Sequence, residues 1–428
     1  MDDLRIEYDA PNGVFSPSQA VTGKVVIQNR EWIKARFLKI CIHGGAYAGW
    51  IESQNRSIVN EQGETHNHTE NVKYSATVNY LEGESVAWRS PDGSNRLPAG
   101  TNVFPFAFSL PINCPPSYEG CHGHVRYSVH VELDRPWHFN KKTRKCFTVI
   151  PVYDLNITPT AINPMVNTTS KNTGFIFKKG LVSMTVSLPK RGYVAGEIVP
   201  ITVTIDNSSK NPVVSVSSKI YQHSVFHASS CHGTLNGTAH IHHRKDTKTV
   251  AESQRSIDVP PRTKSQVVLS TRIPAIVPSF ECPVVNVNYC ISVKLGTATA
   301  IHGTLKCEFP LIIGTIPIRP TAPLAYGSIP ATMPSAPSSS PPYPVVSEAF
   351  ASPSVYPIAP SAPPLLPEMQ GALGVTGLSL LPPPSYEESV YGAGKIEGAE
   401  QFAPRYPVYN NLEQTTQSNF ATSLPPKV

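Results

Sequence analysis

The sequence predicts an all-β protein, two tandem antiparallel β-sandwich domains followed by a disordered proline-rich tail. Three observations carry this. Through residue 315 the apolar residues are rich in β-branched types and alternate at period two, as in Val25-Val26-Ile27, Leu38-Lys39-Ile40-Cys41-Ile42, Val129-His130-Val131-Glu132-Leu133 and Val203-Thr204-Ile205. Gly, Pro and Asn interrupt these runs about every 8–12 residues, the rhythm of sandwich strands, and no long helical period competes with it. Beyond residue 315 the composition changes. Residues 316–428 hold 22 of the 43 prolines and no sustained apolar period. Such a segment buries too little apolar surface to offset its ordering entropy.

Within the body, an internal repeat predicts two related units. Phe15, Val21, Val25, Ile27 and Asn29 recur as Tyr193, Val199, Val203, Ile205 and Asn207, all 178 residues on. A second block, Pro116-Ser117-Tyr118-Glu119 with Tyr127, Val129, Val131 and Leu133, recurs 162 residues on as Pro278-Ser279-Phe280-Glu281 with Tyr289, Ile291, Val293 and Leu295. Constant offsets over several apolar positions argue for tandem related domains. We therefore expect a first domain over residues 1–155, a linker over 156–178 marked by Thr158-Pro159, Asn163-Pro164 and Thr168-Thr169-Ser170, a second domain over 179–315, and the tail over 316–428. Pro115-Pro116-Ser117-Tyr118 matches the peptide pattern Pro-Pro-x-Tyr, but its counterpart Val277-Pro278-Ser279-Phe280 keeps only the ring. The shared feature is an apolar ring ahead of a strand, so Tyr118 is expected in the core.

The same residues carry a family resemblance. Pro11-Asn12-Gly13-Val14-Phe15 leading to Gly23-Lys24-Val25 resembles the opening strands of an arrestin N-domain, as do Phe104-Pro105-Phe106, Leu110-Pro111 and Pro116-Ser117-Tyr118-Glu119-Gly120 with Arg126-Tyr127. Val152-Tyr153-Asp154-Leu155-Asn156 resembles the inter-domain junction. Gly192-Tyr193-Val194-Ala195-Gly196-Glu197 with Asn207-Ser208-Ser209 resembles the start of the C-domain. With the tail described next, the chain is similar to the α-arrestins, the arrestin-domain-containing proteins. The resemblance implies two arrestin-type sandwiches and a non-enzymatic trafficking adaptor without a cofactor.

In the tail, Leu381-Pro382-Pro383-Pro384-Ser385-Tyr386-Glu387-Glu388 places three prolines before a tyrosine. Consecutive prolines favour an extended polyproline helix, the form that WW domains read in an aromatic groove. Pro383 and Pro384 would stack there, and Tyr386 would fill a neighbouring pocket. A second and weaker WW ligand is Ala403-Pro404-Arg405-Tyr406, where alanine replaces the first proline and only Pro404 and Tyr406 remain. Pro334-Ser335-Ala336-Pro337 and Pro360-Ser361-Ala362-Pro363 resemble the peptide read by the UEV domain of ESCRT-I; Pro320-Thr321-Ala322-Pro323 lies too near the body to be reached as easily. The resemblance implies NEDD4-type HECT ubiquitin ligases as the owners of the WW domains and membrane receptors or transporters as cargo.

Charge and the remaining motifs set limits. Four cations against seven glutamates give the tail −3, which leaves +9 on the first 315 residues of a chain whose total is +6. A basic body suits an anionic partner or peripheral contact with a membrane surface. Lys141, Lys142, Arg144 and Lys145 form its densest basic run. The four tryptophans show no interleaving with basic residues, which argues against nucleic acid. No Gly-x-Ser-x-Gly, His-Glu-x-x-His or P-loop pattern occurs, and Cys231-His232 with His240, His242 and His243 reads as a solvated hairpin, so neither catalysis nor a metal is expected. Met1-Asp2-Asp3-Leu4-Arg5 lacks the basic and apolar regions of a signal peptide. The expected location is the cytoplasm, with recruitment to plasma membrane and endosomes. Two rival readings stand: an arrestin-fold cargo-retrieval subunit of the retromer type that needs no ligase, and a secreted adhesion-type sandwich.

Overall fold

The computed structural model describes residues 3–59, 65–173, 180–230, 240–297, 305–319 and 402–409. Strands dominate; among the described residues the only helical elements are two short 3-10 turns, Leu155–Ile157 and Pro159–Ala161. The first sandwich packs a three-stranded sheet (Asp3–Tyr8, Ala20–Asn29, Gly100–Ser109) on a sheet built from Phe37–Val59, Thr65–Arg89, Gly123–Leu133, Lys141–Val149 and the short Val14–Phe15. The second packs a four-stranded sheet (Met165–Thr173, Gly180–Leu188, Ile198–Asn207, Thr263–Arg272) on Gly192–Val194, Leu305–Gly314, Val285–Thr297, Val213–Ser230 and Ile241–Val259. Pairing of Ser229 and Ser230 with Ser75 and Tyr74 joins one sheet of each sandwich into a single hydrogen-bonded surface.

The repeat has the same physical meaning in both halves. Val21, Val25 and Ile27, and their counterparts Val199, Val203 and Ile205, are fully buried, because alternate strand residues point to one face and that face is the core. Tyr127 donates its hydroxyl to the Pro115 carbonyl at 2.8 Å, and Tyr289 donates to the Val277 carbonyl at 2.7 Å, both twelve residues back. Ser117 Oγ accepts from the Val149 amide at 2.9 Å, and Ser279 Oγ accepts from the Ile313 amide at 3.0 Å. Asn29 and Asn207 close matching corners by donating to backbone carbonyls. Each tyrosine, serine and asparagine answers a backbone group that a turn would otherwise leave unpaired in a dry interior. Tyr118 is 3% exposed, as its pairing with Phe280 in the repeat predicts.

Two boundaries differ from expectation. Met165–Thr173 is a strand paired with Gly180–Leu188 rather than part of a linker, so the linker shortens to residues 156–164. Its Thr, Ser and Asn content reads as a loop because the strand lies at a sheet edge, where Thr168–Thr185 and Ser170–Ser183 hydroxyl pairs take the place of apolar packing. The folded body also extends past residue 315. Tyr153 N–H donates to Thr315 Oγ1 at 2.7 Å, Asp154 bridges to Ile316, and Asn156 Nδ2 donates to the Pro317 carbonyl at 2.9 Å. The start of the linker and the end of the last strand are thereby held side by side.

Candidate functional site: the seam between the sandwiches

The seam is where buried polar groups of both sandwiches meet. Tyr118, from the first, shares a 2.7 Å hydrogen bond with Ser224 Oγ of the second. Gln222 Nε2 donates to the Tyr118 hydroxyl at 3.3 Å, and the Tyr289 hydroxyl lies 3.2 Å from Gln222 Oε1 while it bonds the Val277 carbonyl. Gln222, Ser224 and Tyr118 are all buried, and the members of the network satisfy one another. The linker plugs the next stretch of the seam. Leu155 is 1% exposed and clusters with Ala161 and Val194. It fits because Gly192 and Gly314 offer no side chain: a Cβ at Gly314 would lie 2.6 Å from Leu155 Cγ.

The tail returns to this seam. Phe402–Tyr409, placed by the sequence in a segment without structure, lies against both sandwiches. Arg405 N–H donates to Thr148 Oγ1 at 3.2 Å, and the Tyr406 hydroxyl donates to the Ser117 carbonyl at 2.9 Å. Tyr409 N–H donates to the Ala195 carbonyl at 3.0 Å, and its hydroxyl donates to the Thr315 carbonyl at 2.7 Å. Tyr406 separates two clefts. One, of about 460 Å³, is lined by Tyr118, Glu119, Gln222, Asp246, Ile276 and Pro404. The other, of about 560 Å³, is lined by Asn12, Val14, Ile150, Pro151, Ile316 and Arg405. Burial, with Tyr118 and Glu119 nearby, pushes the Tyr406 phenol above its ordinary range, so it stays a neutral donor.

The weaker WW-ligand pair, Pro404 and Tyr406, therefore sits in the seam, and in this arrangement the Tyr406 ring packs on the body's core instead of standing free. Pro383, Pro384 and Tyr386 lie outside the described residues, as do Pro334, Ser335, Ala336, Pro337, Pro360, Ser361, Ala362 and Pro363. Cys231 and His232 of the histidine-rich hairpin also lie outside them. Of the rest of that hairpin, His243 Nδ1 lies 2.6 Å from His227 Nδ1 and the His242 ring packs on Tyr74.

The basic run Lys141–Lys145 occupies one strand, so alternation divides it between two faces. Lys145 Nζ donates to the Ile6 carbonyl at 2.9 Å and lies over the Tyr8 ring. Lys142, with Arg144 on the other face, reaches Glu132 at 3.6 Å. That face carries a pH consequence. Burial pulls His130 down from 6.5 to about 3, and Arg144 adds to the effect; burial, helped by Arg126, does the same to His124. Below pH 6.5 the unfolded chain binds protons that the folded chain refuses, so stability is lost as pH falls from 6.5 towards 3. His130→Gln is expected to flatten the pH slope of the urea unfolding free energy between pH 4 and 6 by nearly one proton. An unchanged slope would refute this assignment.

Comparison with known proteins agrees with this architecture. Residues 4–156 match the family "Arrestin (or S-antigen), N-terminal domain", and residues 178–318 match its C-terminal domain. The two matches span well over half the chain, which belongs to the arrestin family. Its relatives place it among the arrestin-domain-containing proteins, the α-arrestin branch. Arrestin domain-containing protein 17 of Caenorhabditis elegans is 25% identical over 324 residues, 74% of this chain and 71% of that one. Arrestin domain-containing protein 4 of Mus musculus is 28% identical over 316 residues, 72% and 70% of the two chains. Arrestin domain-containing protein 1 of Mus musculus is 29% identical over 231 residues, 53% and 49%. The family assignment supports a non-enzymatic trafficking adaptor.

Proposed function

We propose that the chain bridges membrane receptor or transporter cargo to NEDD4-type HECT ubiquitin ligases. The arrestin body engages cargo, while Pro383, Pro384 and Tyr386 seat in a ligase WW domain. Ubiquitin is then placed on cargo and on the adaptor, and the complex is sorted at the plasma membrane and endosomes. Pro334–Pro337 and Pro360–Pro363 add a link to the ESCRT-I UEV domain, where two copies on one chain raise the local concentration at a single groove. The basic strand Lys141–Lys145, with Lys142 and Arg144 on one face and Lys141 and Lys145 on the other, suits anionic headgroups or acidic cargo segments.

The observation that carries this reading is the position of Leu381–Glu388. Of the two complete Pro-Pro-x-Tyr matches, the one ending at Tyr118 bonds into the folded body, as does the partial match ending at Tyr406, and the one ending at Tyr386 falls in the stretch between the second sandwich and the docked segment. In a reconstituted reaction with a NEDD4-type ligase, the full chain is expected to acquire ubiquitin. Tyr386→Ala should cut that rate by about tenfold or more, the weight of one well-buried aromatic anchor. Equal rates for the two proteins would overturn the proposal.

A further inference from the structure

Phe402–Tyr409 has the marks of a bound ligand. Pro404 and Pro407 restrict the backbone to extended forms before it docks, which lowers the entropy lost on binding. Tyr406 and Tyr409 are three residues apart, the period that brings side chains of an extended proline-rich chain to one side. Both turn toward the body, while Arg405 and Pro407 are exposed and Val408 keeps one methyl against Gly196. The four hydrogen bonds are shared evenly. Thr148 and Ser117 of the first sandwich receive two, and Ala195 and Thr315 of the second receive the others.

The receiving surface is built to match. Thr148 and Ser117 are buried residues, so the seam presents pre-placed acceptors at its floor. Gly196 adopts φ 91°, a left-handed conformation, and the Tyr409 backbone rests directly on it. A Cβ there would lie 2.2 Å from the Tyr409 carbonyl oxygen, so any side chain at this turn closes the site to the segment. The Tyr409 ring packs on the Leu155, Ala161 and Val194 cluster, the same group that anchors the linker.

We propose that the seam is a peptide-binding site whose ligand is the chain's own Phe402–Tyr409, a clasp that fastens the two sandwiches and the linker together through two tyrosine hydroxyls. While the clasp is closed, Pro404 and Tyr406 are withheld from any WW domain. The inference is independent of the Tyr386 motif and does not need the ligase reading to hold.

The test compares the full chain with its Tyr406→Ala/Tyr409→Ala variant and with a free peptide spanning Glu400–Leu412. In the full chain, trypsin is expected to cut the Arg405–Tyr406 bond at least about tenfold more slowly than in the free peptide, given two or more hydrogen bonds to break. The variant should bring cleavage after Arg405 to the rate of the correspondingly substituted peptide. Hydrogen exchange should also rise in the variant at Leu155–Thr158 and Val194–Gly196, which the substitutions leave untouched. Because both substitutions lie outside the two sandwiches, an unchanged β circular dichroism spectrum keeps the result a matter of docking. Cleavage in the full chain at the free-peptide rate would overturn the site. Protection confined to the segment, with no change at Leu155–Thr158, would overturn the clasp.

Discussion

Replacing Asn207 by alanine is expected to lower the stability of the second sandwich by about 3 kcal/mol, the cost of leaving several buried polar groups unpaired. The side chain is fully buried, and its amide donates to three carbonyls: Asn211 at 2.9 Å, Val259 at 3.0 Å and Pro260 at 3.1 Å. Its own oxygen accepts from the Ser209 amide and hydroxyl. Alanine deletes all of these at once and offers no substitute. Asn29 is the natural control. It closes the matching corner of the first sandwich by donating to two carbonyls, Glu31 and Pro98, so Asn29→Ala should cost about 1–2 kcal/mol. The midpoint of urea unfolding at constant slope measures both. Equal costs for the two variants would mean that the hydrogen bonds are not what the corner supplies.

A valine at Gly44 is expected to prevent the first sandwich from closing around Tyr127. A Cβ built on Gly44 would fall 2.2 Å from Tyr127 Cδ1, far inside van der Waals contact. The ring has nowhere to go. Its hydroxyl is tied to the Pro115 carbonyl and its face packs near Phe147, with centroids 5.8 Å apart. Alanine alone should cost about 1–3 kcal/mol, the usual range for overpacking, and valine more. Tyr127→Leu removes the obstructing ring, so Gly44→Ala should cost less in that background than alone; a double-mutant cycle reads the difference. Strict additivity would show that the two residues do not compete for the same space.

These two sites also show what the amino-acid sequence made legible. Asn29 with Asn207, and Tyr127 with Tyr289, stand out as repeated residues at constant offsets, and each serves the same backbone group in both sandwiches. Such residues are readable because the corner that needs them recurs. The long strands were not. Phe37–Val59 and Thr65–Arg89 run for 23 and 25 residues, yet Gly44, Gly45 and Gly49 read as interruptions. In the structure Gly44 makes room for the Tyr127 ring of the neighbouring strand, a role that depends on a contact across the sheet, and Gly49 makes room for the Tyr47 ring two residues back on its own strand. Met165–Thr173 was hidden by its polar edge-strand composition. The docked segment was hidden by the proline-rich tail around it, and the one local signal was the three-residue spacing of Tyr406 and Tyr409. The receptor half of that site is spread over Ser117, Thr148, Ala195 and Thr315, which only the fold brings together.

The adaptor reading turns on one contact. Titrating a WW domain of a NEDD4-type ligase into the full chain, and into its Tyr386→Ala variant, tests it directly. The account predicts saturable binding to the full chain and a loss of affinity of at least about tenfold in the variant, as expected for an anchor residue in its pocket. Equal affinity in the two proteins, or no binding to either, would contradict it.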